Sequence, residues 1–117
     1  MSKEALIQKK CEPCEGKVKP FTKQQAAPYL NDLSSWEIDF EGKSISREYV
    51  VKNFMEAVKF INKVAEVAEA DNHHPDIHLT GYRKLRIDLS THAIGGLSEN
   101  DFILAAKIDE LPVELKK

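Results

Sequence analysis

The chain has 117 residues, which fits one domain built around one core. Its formal net charge of −2, with the histidines neutral, gives no strong pull toward nucleic acid or an anionic membrane surface, so no direct nucleic-acid or membrane partner is expected. No apolar run approaches the ~20 residues of a membrane span, and the opening MSKEALIQKK is too polar for a secretory signal; the expected setting is cytoplasmic, or an organelle protein in its mature form.

Residues 1–20 are rich in Lys and Glu and punctuated by Pro13, Gly16 and Pro20, and they read as an extended, flexible N-terminal arm. Cys11 and Cys14 form a single C-x-x-C there. A zinc site needs about four ligands, and the sequence has no second cysteine pair. A thioredoxin-like dithiol would sit between a strand and a helix. The pair reads as non-catalytic, on a surface or a tail. The remainder, 21–117, reads as a single domain.

Thr22-x-x-Gln25 is a capping-box pattern with Phe21 placed for a hydrophobic staple, opening a short helix over 23–32 that Pro28 is expected to kink or shorten. Trp36-Glu37-Ile38-Asp39-Phe40 alternates with period two and predicts a strand. A turn at Glu41-Gly42-Lys43 and a returning strand over 45–51 complete a hairpin, with Ile45 and Tyr49 toward the core. Asn53 caps a long helix reaching residue 70, with Glu56 at its N3 position. Phe54, Val58, Ile61, Ala65 and Ala68 form its apolar stripe, widened by Phe60, Val64 and Val67.

Pro75 disfavours the helical conformation at His74, so the histidine pair marks the exit from the long helix. Ile77 and Leu79 alternate with polar residues up to Gly81, and Leu85, Ile87 and Leu89 make a clean second strand ending at Thr91-His92. Gly95-Gly96 is a turn. Ser98 and Asp101 cap a final helix that runs to Ile108, with Pro112 beyond it. Helices and hairpins in this order give an α+β fold, an antiparallel sheet with helices packed on one face. The other face is polar and suits solvent or an oligomer interface.

Three of the four histidines, His73, His74 and His92, would meet if the strand ending at 92 ran beside the helix exit. Imidazole exchanges protons near neutral pH. Converging rings permit a three-histidine zinc site or a metal-free acid–base pocket. Adjacent residues in extended chain point apart, which favours acid–base chemistry and no metal. His78, on the polar side of its strand, reads as an ordinary exposed residue.

These positions resemble the signature of the pterin-4a-carbinolamine dehydratase family. Glu69 stands four residues before His73-His74-Pro75; Tyr82 supplies an aromatic, His92 follows, and Asp101 comes after it. STHAIGGLSENDF is similar to a family segment, and the likeness runs from Thr22 to Ile108. The arm resembles that of some bacterial and plant members. Asp76 and Ile77 replace the Glu-Trp of animal members, so any stacking by that Trp is absent.

The resemblance implies a four-stranded antiparallel sheet backed by helices, and a homodimer or homotetramer. It implies dehydration of 4a-hydroxytetrahydropterin to quinonoid dihydropterin, in tetrahydrobiopterin recycling beside an aromatic amino acid hydroxylase. The pterin is the substrate and no cofactor is implied. His73, His74 and His92 are the implied catalytic residues, with Glu69, Pro75, Asp76 and Asp101 as substrate-binding positions. Glu69 also reads as a solvated helix residue, Pro75 as a backbone constraint and Asp101 as a helix cap. The alternative is a non-enzymatic role as a dimerisation or transcriptional cofactor, which animal members also perform.

Overall fold

The computed structural model describes residues 2–11 and 19–117. Along the chain the elements are α1 (Lys3–Ile7), α2 (Lys23–Asn31), β1 (Glu37–Ile38), β2 (Ile45–Val50), α3 (Phe54–Asp71), β3 (Asp76–Thr80), β4 (Lys84–Leu89), a 3₁₀ turn (His92–Ile94) and α4 (Glu99–Asp109). The strands form one antiparallel sheet in the order β1-β2-β4-β3. No helix among the described residues is long and apolar enough to cross a membrane.

Alternation along β4 sets the two faces of the sheet. Leu85, Ile87 and Leu89 are buried, while Lys84 and Arg86 are exposed. Pairing aligns Ile45 with Leu89 and Tyr49 with Leu85 from β2, and Ile77 with Ile87 and Leu79 with Leu85 from β3. Because side chains two apart share a face, these residues form one apolar surface. Phe60 and Val64 of α3 and Phe102, Leu104 and Ile108 of α4 join the same core.

On α3 the buried residues are Ala57, Phe60, Val64, Ala68 and Asp71. This corrects part of the expected leading stripe: Ala68 is buried, but Phe54 and Ala65 are exposed, and Phe60 and Val64, expected only to widen the stripe, are buried at its centre. Two apolar rows overlap on this helix, and the row that meets Tyr49 is buried, with the Tyr49 and Phe60 ring centroids 5.1 Å apart.

Two other expectations need adjustment, while the short helix holding Pro28 is as expected. The first strand is only two residues long. Phe40 is 93% exposed, because Asp39 turns the chain by accepting from the backbone N–H groups of Lys43 and Ser44 at 2.7 and 3.2 Å. Pro28 lies inside α2 without ending it, and Gln24, whose carbonyl loses its donor there, is exposed. The capping box forms as expected, and Phe21 reaches past the first turn to lie 5.6 Å from Tyr29 and 6.0 Å from Phe102, ring centre to ring centre.

The flexible arm is corrected for its described part. Residues 2–11 are folded: Ser2 caps α1, and Leu6 is fully buried in the common core. Lys3 reaches Asp109, at 3.3 Å, beside Arg47 and the Trp36 indole N–H. Cys11 is buried rather than superficial, and Cys14 lies outside the described residues.

Candidate active site

α3 ends in a turn that aims the histidine pair. Asn72 takes the left-handed conformation (φ 50°), its N–H bonds back to Ala68 and Glu69, and the His73 N–H reaches the Ala68 carbonyl at 3.1 Å. That is the Schellman termination, and Asn is one of the few side chains that tolerates it. Pro75 then leads into β3, the edge strand beside β4.

The far end of β4 carries the third histidine. Thr91 and Gly96 exchange backbone hydrogen bonds of 2.7 and 3.4 Å, which closes the short loop holding His92. Gly95 ends the 3₁₀ turn at φ 67°. A Cβ on Gly96 would come within 2.7 Å of the Pro20 ring, so glycine is required there by close packing.

The result is a cleft of about 670 Å³ lined by His73, His74 and His92 together, with Asp71, Thr91, Lys10 and Cys11 among the other wall residues. Its size is in the range of small-molecule sites. The expected convergence of the three imidazoles is therefore present. Among the described residues no three His, Cys, Asp or Glu side chains are grouped as a metal site.

The two adjacent histidines have unlike surroundings. The His73 side chain is 11% exposed, and its Nε2 lies 2.7 Å from Oδ1 of Asp101, which is wholly buried. The other Asp101 oxygen accepts from the Ser98 N–H at 3.0 Å and the Thr91 hydroxyl at 2.9 Å. Thr91 and Ser98 share a further bond of 2.7 Å between their hydroxyls. With Asp101 ionised and accepting, the proton on His73 Nε2 points at the carboxylate and Nδ1 is left for exchange. His74 is 56% exposed and pairs through Nε2 with Glu69 Oε1 at 2.6 Å, in solvent. The His92 ring makes no hydrogen bond among the described residues and is exposed.

Of the expected substrate contacts, Glu69 and Asp101 stand behind His74 and His73, and neither they nor Pro75 and Asp76 are among the residues lining the cleft. His78 is exposed as expected, and it pairs with Asp88 at 3.0 Å.

Sequence reasoning missed a polar cluster beside the histidines. Asp71, buried at the last turn of α3, accepts from Lys107 Nζ at 2.6 Å, and the Cys11 sulfur lies 3.7 Å from the same oxygen. Burial first, and then the Asp71 charge, push the Cys11 thiol up to about 12. Only the Asn72-His73 junction left a trace in the sequence, since Asn after an apolar helix is a stop signal.

A family model described as pterin 4 alpha carbinolamine dehydratase matches residues 19–111, which takes in every residue of the histidine signature. The chain belongs to the pterin-4a-carbinolamine dehydratase family. It is 48% identical over 107 residues to a putative pterin-4-alpha-carbinolamine dehydratase of Halorhodospira halophila, covering 92% of this chain and 97% of that protein. It is 46% identical over 112 residues to the mitochondrial pterin-4-alpha-carbinolamine dehydratase 2 of Arabidopsis thaliana, covering 93% of this chain and 60% of that longer protein. Among solved structures, a transcriptional coactivator/pterin dehydratase from Brucella melitensis superposes with a TM-score of 0.71 at 27% identity, over 78% of this chain and 96% of that one. Membership in the dehydratase family agrees with the α+β architecture and the four-stranded antiparallel sheet.

Proposed function

We propose that this chain is a hydro-lyase that removes water from 4a-hydroxytetrahydropterin to give quinonoid dihydropterin. The observation that carries the reading is that His73, backed by the buried Asp101 carboxylate, lines the same cleft as His74 and His92. Hydroxide leaves carbon poorly, so the C4a oxygen needs a proton as the C–O bond breaks. The N5 proton must also go, so that its bonding pair can form the C4a–N5 double bond. One imidazolium gives the first proton and one neutral ring takes the second. The protein ends with as many protons as it began with, and water departs.

His73 and His92 are the groups proposed to protonate the leaving hydroxyl. His74 is proposed to position the pterin and exchange the N5 proton, with Glu69 holding its ring. Asp101 orients His73 and touches no substrate. No step in this scheme calls on a cofactor. The paired carboxylates behind two of the three rings favour this reading over a purely non-enzymatic cofactor role.

The same reading carries a cytoplasmic setting in tetrahydrobiopterin recycling, beside an aromatic amino acid hydroxylase. It also carries a homodimeric or homotetrameric state. The β3 edge, where Ile77 and Leu79 stay half-buried in the single chain, supports association.

Stopped-flow absorbance with synthetic carbinolamine tests the scheme. Each of His73→Ala, His74→Ala and His92→Ala is expected to slow dehydration, and loss of the main acid by about 10²–10⁴-fold. Wild-type rates in all three, or an inactive wild type that is well folded, would end the proposal.

A further inference from the structure

The dehydration scheme uses no residue before Glu69, yet Lys10 and Cys11 line the same cleft as the three histidines. They are there because residues 2–11 are anchored at several points. Leu6 is fully buried in the core, and Lys9 Nζ meets Glu99 Oε1 at 3.0 Å. The Cys11 sulfur lies 3.7 Å from Asp71 Oδ2 and 3.5 Å from the Asn100 carbonyl.

Those last two partners are neighbours of the reacting groups. Asp71 precedes His73 by two positions, and Asn100 directly precedes Asp101. Cys11 therefore occupies the seam between the end of α3 and the start of α4, the two elements that deliver the imidazole and its carboxylate. A thiol is a weak donor with one proton for two acceptors, so Leu6 burial supplies more of the docking than the sulfur contacts do.

We propose that Lys10 and Cys11 form a wall of the pterin site, and that the docking of α1 and Lys9 on α4 sets how tightly the site holds its substrate. The wall excludes water from one side of the cleft and narrows it around a flat bicycle. It performs no proton transfer: the Cys11 thiol, raised to about 12, stays neutral at working pH. The proposal rests on the dehydratase reading and extends the site to a segment at the opposite end of the chain.

Hydrogen exchange with and without 7,8-dihydrobiopterin tests it on the full chain. Peptides covering residues 2–11 and peptides covering 73–92 are both expected to slow when the pterin is added. Leu6→Asp places a charge that the core cannot accept and frees the segment, and Lys9→Glu, which opposes Glu99 on the partly exposed surface, loosens it. Each is expected to raise KM about fivefold or more, with kcat at saturation within about twofold of wild type. Should Leu6→Asp fail to fold, Lys9→Glu decides, because its side chain is outside the core. Slowing at 73–92 without slowing at 2–11 overturns the wall and leaves the dehydratase reading standing. An unchanged KM in a variant whose residues 2–11 exchange freely does the same. No slowing in either region overturns both.

Discussion

Oδ1 of Asp101 lies 2.7 Å from Nε2 of His73, while Oδ2 of the same carboxylate accepts the Ser98 N–H at 3.0 Å. One buried group thus completes the capping box of α4 and orients the ring in the cleft. The two duties need two acceptor oxygens, and an amide has only one.

Asp101→Asn therefore has no good orientation. With its NH₂ toward Ser98 it faces a backbone donor and leaves the cap unmade. With its NH₂ toward His73 it demands an unprotonated Nε2, which moves the ring proton to Nδ1. The expected outcome is a kcat lower by about 10–100-fold, with a stability loss of about 1–3 kcal/mol from the unsatisfied buried group. Stopped-flow dehydration and urea denaturation of the same sample measure the two effects. A folded Asp101→Asn protein with the wild-type rate would show that the carboxylate does not orient the acid.

The buried Cys11 thiol gives a prediction in pH. Burial and the Asp71 charge raise it from 9.0 to about 12 in the folded chain. Folding then holds a proton that the unfolded chain releases above about pH 9, so this contribution to stability is present below that pH and is lost as pH rises toward 12. In a Cys14→Ser background, which leaves one thiol, iodoacetamide at pH 8 is expected to label Cys11 about 10²-fold more slowly in the native protein than in urea. Timed mass spectrometry reads the rate. The urea midpoint is expected to fall faster above pH 9 in this protein than in the Cys11→Ser, Cys14→Ser double variant. Native labelling as fast as in urea would show an accessible, ordinary thiol.

Gly96 gives a prediction about the His92 loop. A methyl group there would sit 2.7 Å from Cβ of Pro20, a ring that cannot rotate away. The Phe21 N–H donates to the Leu97 carbonyl at 2.7 Å, so the two strands of chain cannot easily separate. Gly96→Ala is expected to cost about 1–3 kcal/mol. It is also expected to lower activity by displacing His92. Thermal melts and the dehydration assay check both, and a wild-type melt would show that the contact relaxes without strain.

Local patterning in the sequence was enough to read the sheet and both long helices. Leu85, Ile87 and Leu89 alternate without interruption, and Asn53 with Glu56 marks a helix start whose cap bond, from the Glu56 N–H to Asn53 Oδ1, is 2.9 Å. The rotation of α3 about its axis was not legible. Its two apolar rows are nearly equal in the sequence, and packing against Tyr49 chooses between them. Phe40 continued a period-two pattern, but the Asp39 side chain ended the strand first.

In the site, the meeting of His73, His74 and His92 followed from placing a helix exit next to a strand end. Local pattern marked Asp101 only as a cap, and the resemblance alone brought it to the site, as a substrate contact; its bond to His73 spans 28 positions and has no local signal. The Cys11 contacts with Asp71 and Asn100 span 60 and 89 positions, and no local pattern encodes such pairs. Composition made residues 2–11 resemble a tail, since only Leu6 and Ile7 among them carry large apolar side chains.

The Thr91–Ser98–Asp101 cluster has a practical consequence for how the protein ages on heating. Melting the first turn of α4 takes the partner away from His73 in the same event. Activity is therefore expected to fall no later than the folded fraction on heating, and fraying confined to that turn would leave material that is intact in shape yet idle in turnover.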